Sequence, residues 1–182
     1  IRTHAKMLWS EQAFLLGSTN WSQTSITQNN EANVLVREAK ARTTLGTWFD
    51  ALWLSATKAV KVSTSTSKVA AVYADTGYEA VVGPLLDKAA KRIQLVTYQM
   101  NSDTSDPTSP VVKSLEKLKA AAKRGVKVQV ILDLSGAWAE QGNIMNKQAA
   151  ALLKSYGAEV RLDPVEKITH AKFLLVDDAF VL

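Results

Sequence analysis

Cysteine is absent from the 182 residues, which removes thiol nucleophiles, disulfide staples and every Cys-based zinc or iron–sulfur site. Histidine is nearly as scarce, with His4 and His170 the only two. No carboxylate or histidine cluster is dense enough to hold a divalent ion, and no apolar run approaches the roughly 18 residues of a membrane span. No secretory signal pattern opens the chain, and its first residue is Ile1 rather than Met, so the start says nothing about targeting. What is present points to a folded domain: 47% hydrophobic and 21% charged residues exclude a disordered or collagen-like chain. The length suits about one domain with a sizeable core of its own. Lys and Arg outnumber Asp and Glu by 22 to 17, giving a net charge of +5 and a pI near 9.4, a balance that favours phosphate-bearing or polyanionic partners.

Apolar spacing predicts a helix over 78–92, with Val81, Leu85, Leu86 and Ala89 on one face, then a strand over 93–100. After the polar stretch 101–110, Pro110 suits a helix start. Val111, Val112, Leu115, Leu118 and Ala122 form that helix's stripe, and Gly125 its stop. A strand over 126–132, a helix over 143–156 closed by Gly157, and strands over 158–162 and 168–176 follow. This alternation implies a largely parallel α/β sheet. The first 58 residues read differently: two apolar strands around a tight turn, a Ser/Thr/Asn-rich stretch, a strand over 32–36, then a helix whose apolar face is Leu45, Trp48, Phe49, Leu52 and Trp53. The Ser/Thr run 63–68 has no packing pattern, so 59–71 is expected to be a linker between 1–58 and 72–182.

The chain also repeats itself. Residues 1–16 align with 168–182, and both histidines sit in His-Ala-Lys preceded by Thr. In a strand, residues two apart share a face, so His4 and Lys6 are expected to project together, as are His170 and Lys172, with Ala5 and Ala171 on the opposite, buried side. An imidazole beside an ammonium suits a phosphate: Lys holds oxygens while His attacks phosphorus or moves a proton, without a metal. One His-x-Lys alone is an ordinary strand edge; two copies that use every histidine are not. Past the first copy, Gly17-Ser18-Thr19-Asn20 places Ser18 and Asn20 two apart, and Glu31 follows.

These residues resemble the phospholipase D superfamily, whose repeat carries HxKxxxxD, then GSxN, then an acidic residue. His170, Lys172 and Asp177 keep the family spacing, whereas Glu11 stands where Asp is usual in the first copy and the interval from Glu11 to Gly17 is one residue short. The resemblance implies an α-β-α sandwich with a mostly parallel mixed sheet, here with parts of two repeats. It also implies a phosphoric diester hydrolase that needs no cofactor or metal. One histidine attacks the phosphodiester to form a phosphohistidine; the other protonates the leaving alcohol, then activates water or an acceptor alcohol. By the same resemblance His4 is the nucleophile and His170 the general acid, with the reverse assignment open. Lys6, Lys172 and Asn20 bind phosphoryl oxygens, Ser18 assists, Glu31 holds the far imidazole nitrogen, and Asp177, the motif acid, stands largely outside the phosphate pocket.

Residues 1–58 resemble the back of one repeat and 72–182 the front of the next. That is expected of a central window of a two-repeat enzyme, completed by the rest of a longer chain or by a homodimer partner; the rival is a permuted single unit. A phospholipid is the expected substrate, with peripheral membrane contact. An endonuclease acting on nucleic acid and a noncatalytic binding module are the alternatives. The loops 101–110 and 135–143, the latter with Trp138, follow strand ends, where substrates of open α/β sheets approach. Trp21 and Trp138 read as core packing or as contacts to an acyl chain or base. The lysines of 113–124 read as a solvated face.

Overall fold

Strand-forming residues at the amino end alternate around tight turns and pair into a small antiparallel sheet of order β1 (Lys6–Trp9), β2 (Phe14–Gly17), β3 (Asn33–Val36). The computed structural model from which this is read describes residues 4–54, 65–66, 71–72, 77–134, 140–177 and 179–181. The chain divides into two compact units: unit 1 comprises Ile1–Gly17 and Asn33–Ala80, unit 2 comprises Ser18–Ala32 and Val81–Leu182. The excursion between β2 and β3 thus groups with the carboxy-terminal half, which cuts across a division at 58 and 72.

In unit 1 the register sets Met7 opposite Leu16 and Phe14 opposite both Trp9 and Val36, so these side chains share one face. Helix α2 (Ala39–Leu54) packs there, burying Phe14, Ala41 and Leu45 with Met7, Leu16, Val36 and Trp48 around them. Phe49 and Trp53, expected in that core, are instead exposed and stack on each other with ring centroids 6.2 Å apart. The buried stripe runs through 41, 45 and 48, and the two aromatics fall to its side. The Leu52 side chain lies outside the described residues. On the other face of the sheet Leu8, Leu15 and Leu35 stand in one exposed cross-strand row. In the stretch expected as a linker and at its border, β4 (Ser65–Thr66) pairs antiparallel with β5 (Ala71–Val72).

Unit 2 begins with the short helix α1 (Gln23–Thr27), capped by the Ser22 hydroxyl on the Ser25 N–H. Its main body runs α3 (Gly77–Lys88, entered from unit 1), β6 (Arg92–Thr97), α4 (Pro110–Lys123), β7 (Lys127–Leu132), α5 (Glu140–Ser155), β8 (Glu159–Leu162), β9 (Phe173–Val176) and β10 (Ala179–Val181). The sheet order is β10-β9-β6-β7-β8; β6, β7 and β8 are parallel, and the β9–β10 hairpin joins antiparallel to β6. The fold is therefore mixed α/β, as its alternation of strands and helices foretells. Ile93, Val128, Val130, Leu132, Leu174 and Val176 face the helices and are buried with Leu86, Leu115, Leu118 and Leu153. The left-handed stops fall where expected, at Gly125 (φ 88°) and Gly157 (φ 93°). The helix expected over 143–156 starts three residues earlier, at Glu140, and of the expected stripe of α4 Val112 is buried whereas Val111 lies exposed. Trp138 lies outside the described residues. Across the sheet from the helices, Val96, Ile131, Phe173 and Arg161 line a groove of about 310 Å³ that contains none of the motif residues.

Candidate active site

The parallel strands β6, β7 and β8 end at the same side of the sheet, and the second His-Ala-Lys arrives there on the approach to β9. It is not itself strand. Thr169 bridges Asn30, and the N–H groups of both His170 and Ala171 donate to the single Asn30 carbonyl, at 2.9 and 3.0 Å, so the ladder cannot continue through them. The strand begins only at Phe173, and in the first copy at Lys6, yet each His and Lys still come together: His170 and Lys172 both meet the Tyr98 ring, and Lys6 Nζ stands 3.1 Å from His4 Nδ1. Ala171 is buried as expected, whereas Ala5 is exposed because it precedes the covered part of β1.

His170 is buried, 8% exposed, and its ring is held on one side. Nδ1 lies 2.9 Å from the Ser18 carbonyl and 3.3 Å from Glu31 Oε2. A carbonyl oxygen only accepts, so Nδ1 carries the hydrogen and the neutral ring keeps its lone pair on Nε2. Glu31 is itself fixed: Oε2 accepts from the Ser18 hydroxyl at 2.5 Å and Oε1 from Asn29 Nδ2 at 3.1 Å. Ser18, expected to assist a phosphoryl oxygen, spends its one hydroxyl proton on this carboxylate. Lys172 Nζ donates to the His170 carbonyl at 2.6 Å and stands 5.5 Å from the centroid of Tyr98, whose ring meets His170 edge-on at 5.1 Å. Burial, aided by the nearby Asp133 carboxylate, pushes the Tyr98 phenol above its ordinary range and keeps it protonated. Asn20 is exposed at the mouth of the Ser18–Ala32 segment.

Asp177 serves the frame of the site. Its carboxylate accepts the N–H groups of Ala90, Lys91 and Arg92 at 2.8–2.9 Å, while its own N–H donates to the Arg92 carbonyl. These bonds hold its carboxyl below the usual range and stabilise a backbone at φ 51°, tying the β9–β10 turn to the entry of β6. The first His-Ala-Lys lies in unit 1. His4 is exposed, Lys6 Nζ stands 3.1 Å from its Nδ1 and 2.6 Å from its carbonyl oxygen, and Glu11 is exposed in the β1–β2 turn.

A family model described as the cardiolipin synthase phospholipase D-like domain matches residues 1–53 and 83–182. The chain belongs to that phospholipase D-like family. Its fold is that of phosphatidylserine synthase from Haemophilus influenzae Rd KW20, with a TM-score of 0.70 at 11% identity over 96% of this chain and 52% of that one. A phospholipase D family member, Nuc from Salmonella typhimurium, matches at 26% identity and a TM-score of 0.42 over 56% of this chain and 58% of that one. The chain thus spans about half the length of these structures. No curated protein sequence matches it.

Motif reading of the phospholipase D pattern missed Asn30, Tyr98 and Asp133, which contact His170 or the Thr169 before it, and Asn146, which bonds to Tyr98 and Asp133. Two of them left a trace. Asp133 is the first polar residue after the apolar run of β7, and Asn146 interrupts the buried stripe Ala149, Ala150, Leu153 of α5. Two of the helix lysines are engaged within the fold: Lys117 pairs with Asp87, and Lys119 pairs with Glu116 at 3.3 Å and lies 4.9 Å over the Tyr156 ring.

Proposed function

We propose that the chain carries the catalytic groups of a phospholipase D-type phosphodiesterase that hydrolyses or transfers the phosphatidyl group of a phospholipid. The observation that carries this reading is the fixed His170 ring: Nδ1–H on the Ser18 carbonyl with the Glu31 carboxylate beside it, and Lys172 adjacent. A general acid must be an imidazolium when it acts, and a carboxylate 3.3 Å from Nδ1 accommodates that charge. His4 Nε2 attacks phosphorus, forming a P–N bond as the P–O bond to the headgroup breaks; His170 gives its Nε2 proton to the departing alkoxide. Neutral His170 then takes a proton from water, whose oxygen attacks phosphorus, breaks the P–N bond and releases phosphatidate with His4 restored. An acceptor alcohol in place of water gives headgroup exchange. Lys6, Lys172 and Asn20 neutralise the phosphoryl oxygens. The description of the matching family, a cardiolipin synthase domain, supports a phospholipid as substrate.

Turnover of phosphatidylcholine, cardiolipin and single-stranded DNA, compared in EDTA, tests the reading. Lipid turnover without DNA cleavage is expected, together with acid-trapped phosphorus on an imidazole. DNA cleavage alone replaces this reading with an endonuclease, and silence on all three replaces it with a binding module.

A further inference from the structure

Asn146 is a polar side chain on the apolar face of α5, 3% exposed, at a position where Ala or Leu would pack without a partner. Its whole amide is used. One N–H donates to the Tyr98 carbonyl and the other to the Asp133 carbonyl, both at 2.8 Å, and Oδ1 accepts the Met100 N–H at 3.0 Å. One side chain therefore ties the end of β6 to the end of β7. From each anchored residue a second contact reaches the motif. The Asp133 side chain, buried at 4% exposure, accepts the Thr169 N–H at 2.8 Å, directly before His170. The Tyr98 ring abuts His170 edge-on and lies beneath the Lys172 ammonium.

We infer that Asn146 is a positioning residue for the His170–Lys172 pair, acting through two arms, Asp133–Thr169 on the main chain and Tyr98 on the side chains. Asn146 touches neither motif residue itself. A buried amide kept among apolar neighbours has a desolvation cost that only these bonds offset, and all three serve the loops that frame the motif. Loss of the hub lets the Thr169 main chain and the Tyr98 ring shift independently, and the His170 ring slides off the Ser18 carbonyl. An imidazole displaced by about 1 Å costs about 10²-fold in rate while leaving phosphate binding by the flexible lysine nearly intact. The inference rests on His170 and Lys172 handling phosphate as proposed above, so its test includes a readout that needs no turnover.

With only two histidines, the imidazole ¹⁵N–¹H spectrum of the full chain is simple, and the His4→Asn variant assigns the His170 Nδ1–H signal. In the parent chain this proton is expected to exchange slowly with water. In Asn146→Ala exchange should accelerate about tenfold or more, and kcat on a soluble phosphodiester should fall about 10²-fold with KM within about threefold. Asp133→Asn, which retains an acceptor for the Thr169 N–H, should behave like the parent, whereas Asp133→Ala should follow Asn146→Ala. If Asn146→Ala does not fold, the Asp133 pair decides. A slow Nδ1–H proton in Asp133→Ala, or unchanged kcat per folded molecule with a lower Tm alone, overturns the inference. If the parent chain turns over no diester, the proposed function fails and the exchange data still decide the positioning role.

Discussion

The two His-Ala-Lys segments share sequence and differ in everything around it. His170 comes just before β9, a strand paired on both sides by β6 and β10, and the ends of β6 and β7 and the Ser18–Ala32 segment close over it. His4 comes just before β1, which pairs with β2 at one edge of the small sheet, and it is exposed. The same tripeptide yields a buried, oriented imidazole in one place and an accessible one in the other. Three residues thus specify the chemistry a segment offers, while the neighbouring strand ends decide whether the ring is fixed. A fixed ring with a carboxylate suits proton transfer, and an accessible ring suits attack on phosphorus.

The comparison breaks most sharply on the histidines themselves. His170→Asn is expected to lower turnover by about 10²–10⁴-fold yet still permit acid-trapped phosphohistidine when the leaving group is a nitrophenolate that needs no proton. His4→Asn should abolish trapping with every leaving group. Trapping that survives in His4→Asn and vanishes in His170→Asn reverses the assignment of nucleophile and acid.

The cores of the two units separate next. Ile93 is fully buried at the centre of the large cluster of unit 2, and Ile93→Ala should cost about 2–5 kcal/mol. Leu45 belongs to a cluster with few buried members among the described residues, where neighbours can relax, so Leu45→Ala should fall near the lower end, about 2 kcal/mol. Denaturant melts measure both losses. Hydrogen exchange should find the amides of β1–β3 opening before those of β6 and β7; the reverse order would make unit 1 the more stable body.

Much of this was legible in the residues. Alternation of strand and helix patterns announced the α/β fold, and glycines after apolar stripes located the helix stops at Gly125 and Gly157. The resemblance to phospholipase D led to Glu31 beside an imidazole. Spacing could not say that Ser18 turns its hydroxyl to Glu31, since a GSxN loop looks the same whichever way the hydroxyl rotates. The face argument for His-x-Lys assumed a continuing strand, whereas the strand starts at Phe173, past the Asn30 carbonyl that serves two donors, and the two side chains meet at the Tyr98 ring instead. Asp133 and Asn146 escaped for a related reason: their value lies in contacts to residues 36 and 48 positions away, which no local period encodes.

The motif acids sharpen the comparison further. Asp177 accepts three backbone N–H groups, and Glu11 lies exposed in a turn of unit 1. Asp177→Asn should lower Tm at neutral pH. The carboxyl of Asp177 is depressed in the folded state, so its stabilisation is present above the ordinary value of 3.8 and disappears as pH falls through the lower folded value. The parent and Asp177→Asn should therefore converge in Tm on acidification below about pH 4. Glu11→Gln, an exposed substitution, should change stability by no more than about 0.5 kcal/mol at neutral pH. An equal Tm loss in both variants would mean that the two motif acids do the same work.

The smallest effect concerns Asp163, the carboxylate at the end of β8. Its Oδ1 accepts the Leu134 N–H at 2.6 Å, while its buried Oδ2 has no hydrogen-bond partner among the described residues. Burial first, and then the like charge of Asp133, raise its carboxyl above the usual range. The sign is opposite to that of Asp177: the unfolded chain gives up this proton near 3.8 and the folded one holds it to higher pH, so ionisation opposes folding as pH rises through that interval. Asp163→Asn keeps the Oδ1 acceptor and removes the charge that repels Asp133. It should therefore stabilise unit 2 at neutral pH by about 1 kcal/mol or less, with the gain vanishing toward pH 3. Thermal melts of the two proteins from pH 3 to 7 measure the difference, and a loss that grows with pH would show that the ionised Asp163 stabilises the strand ends.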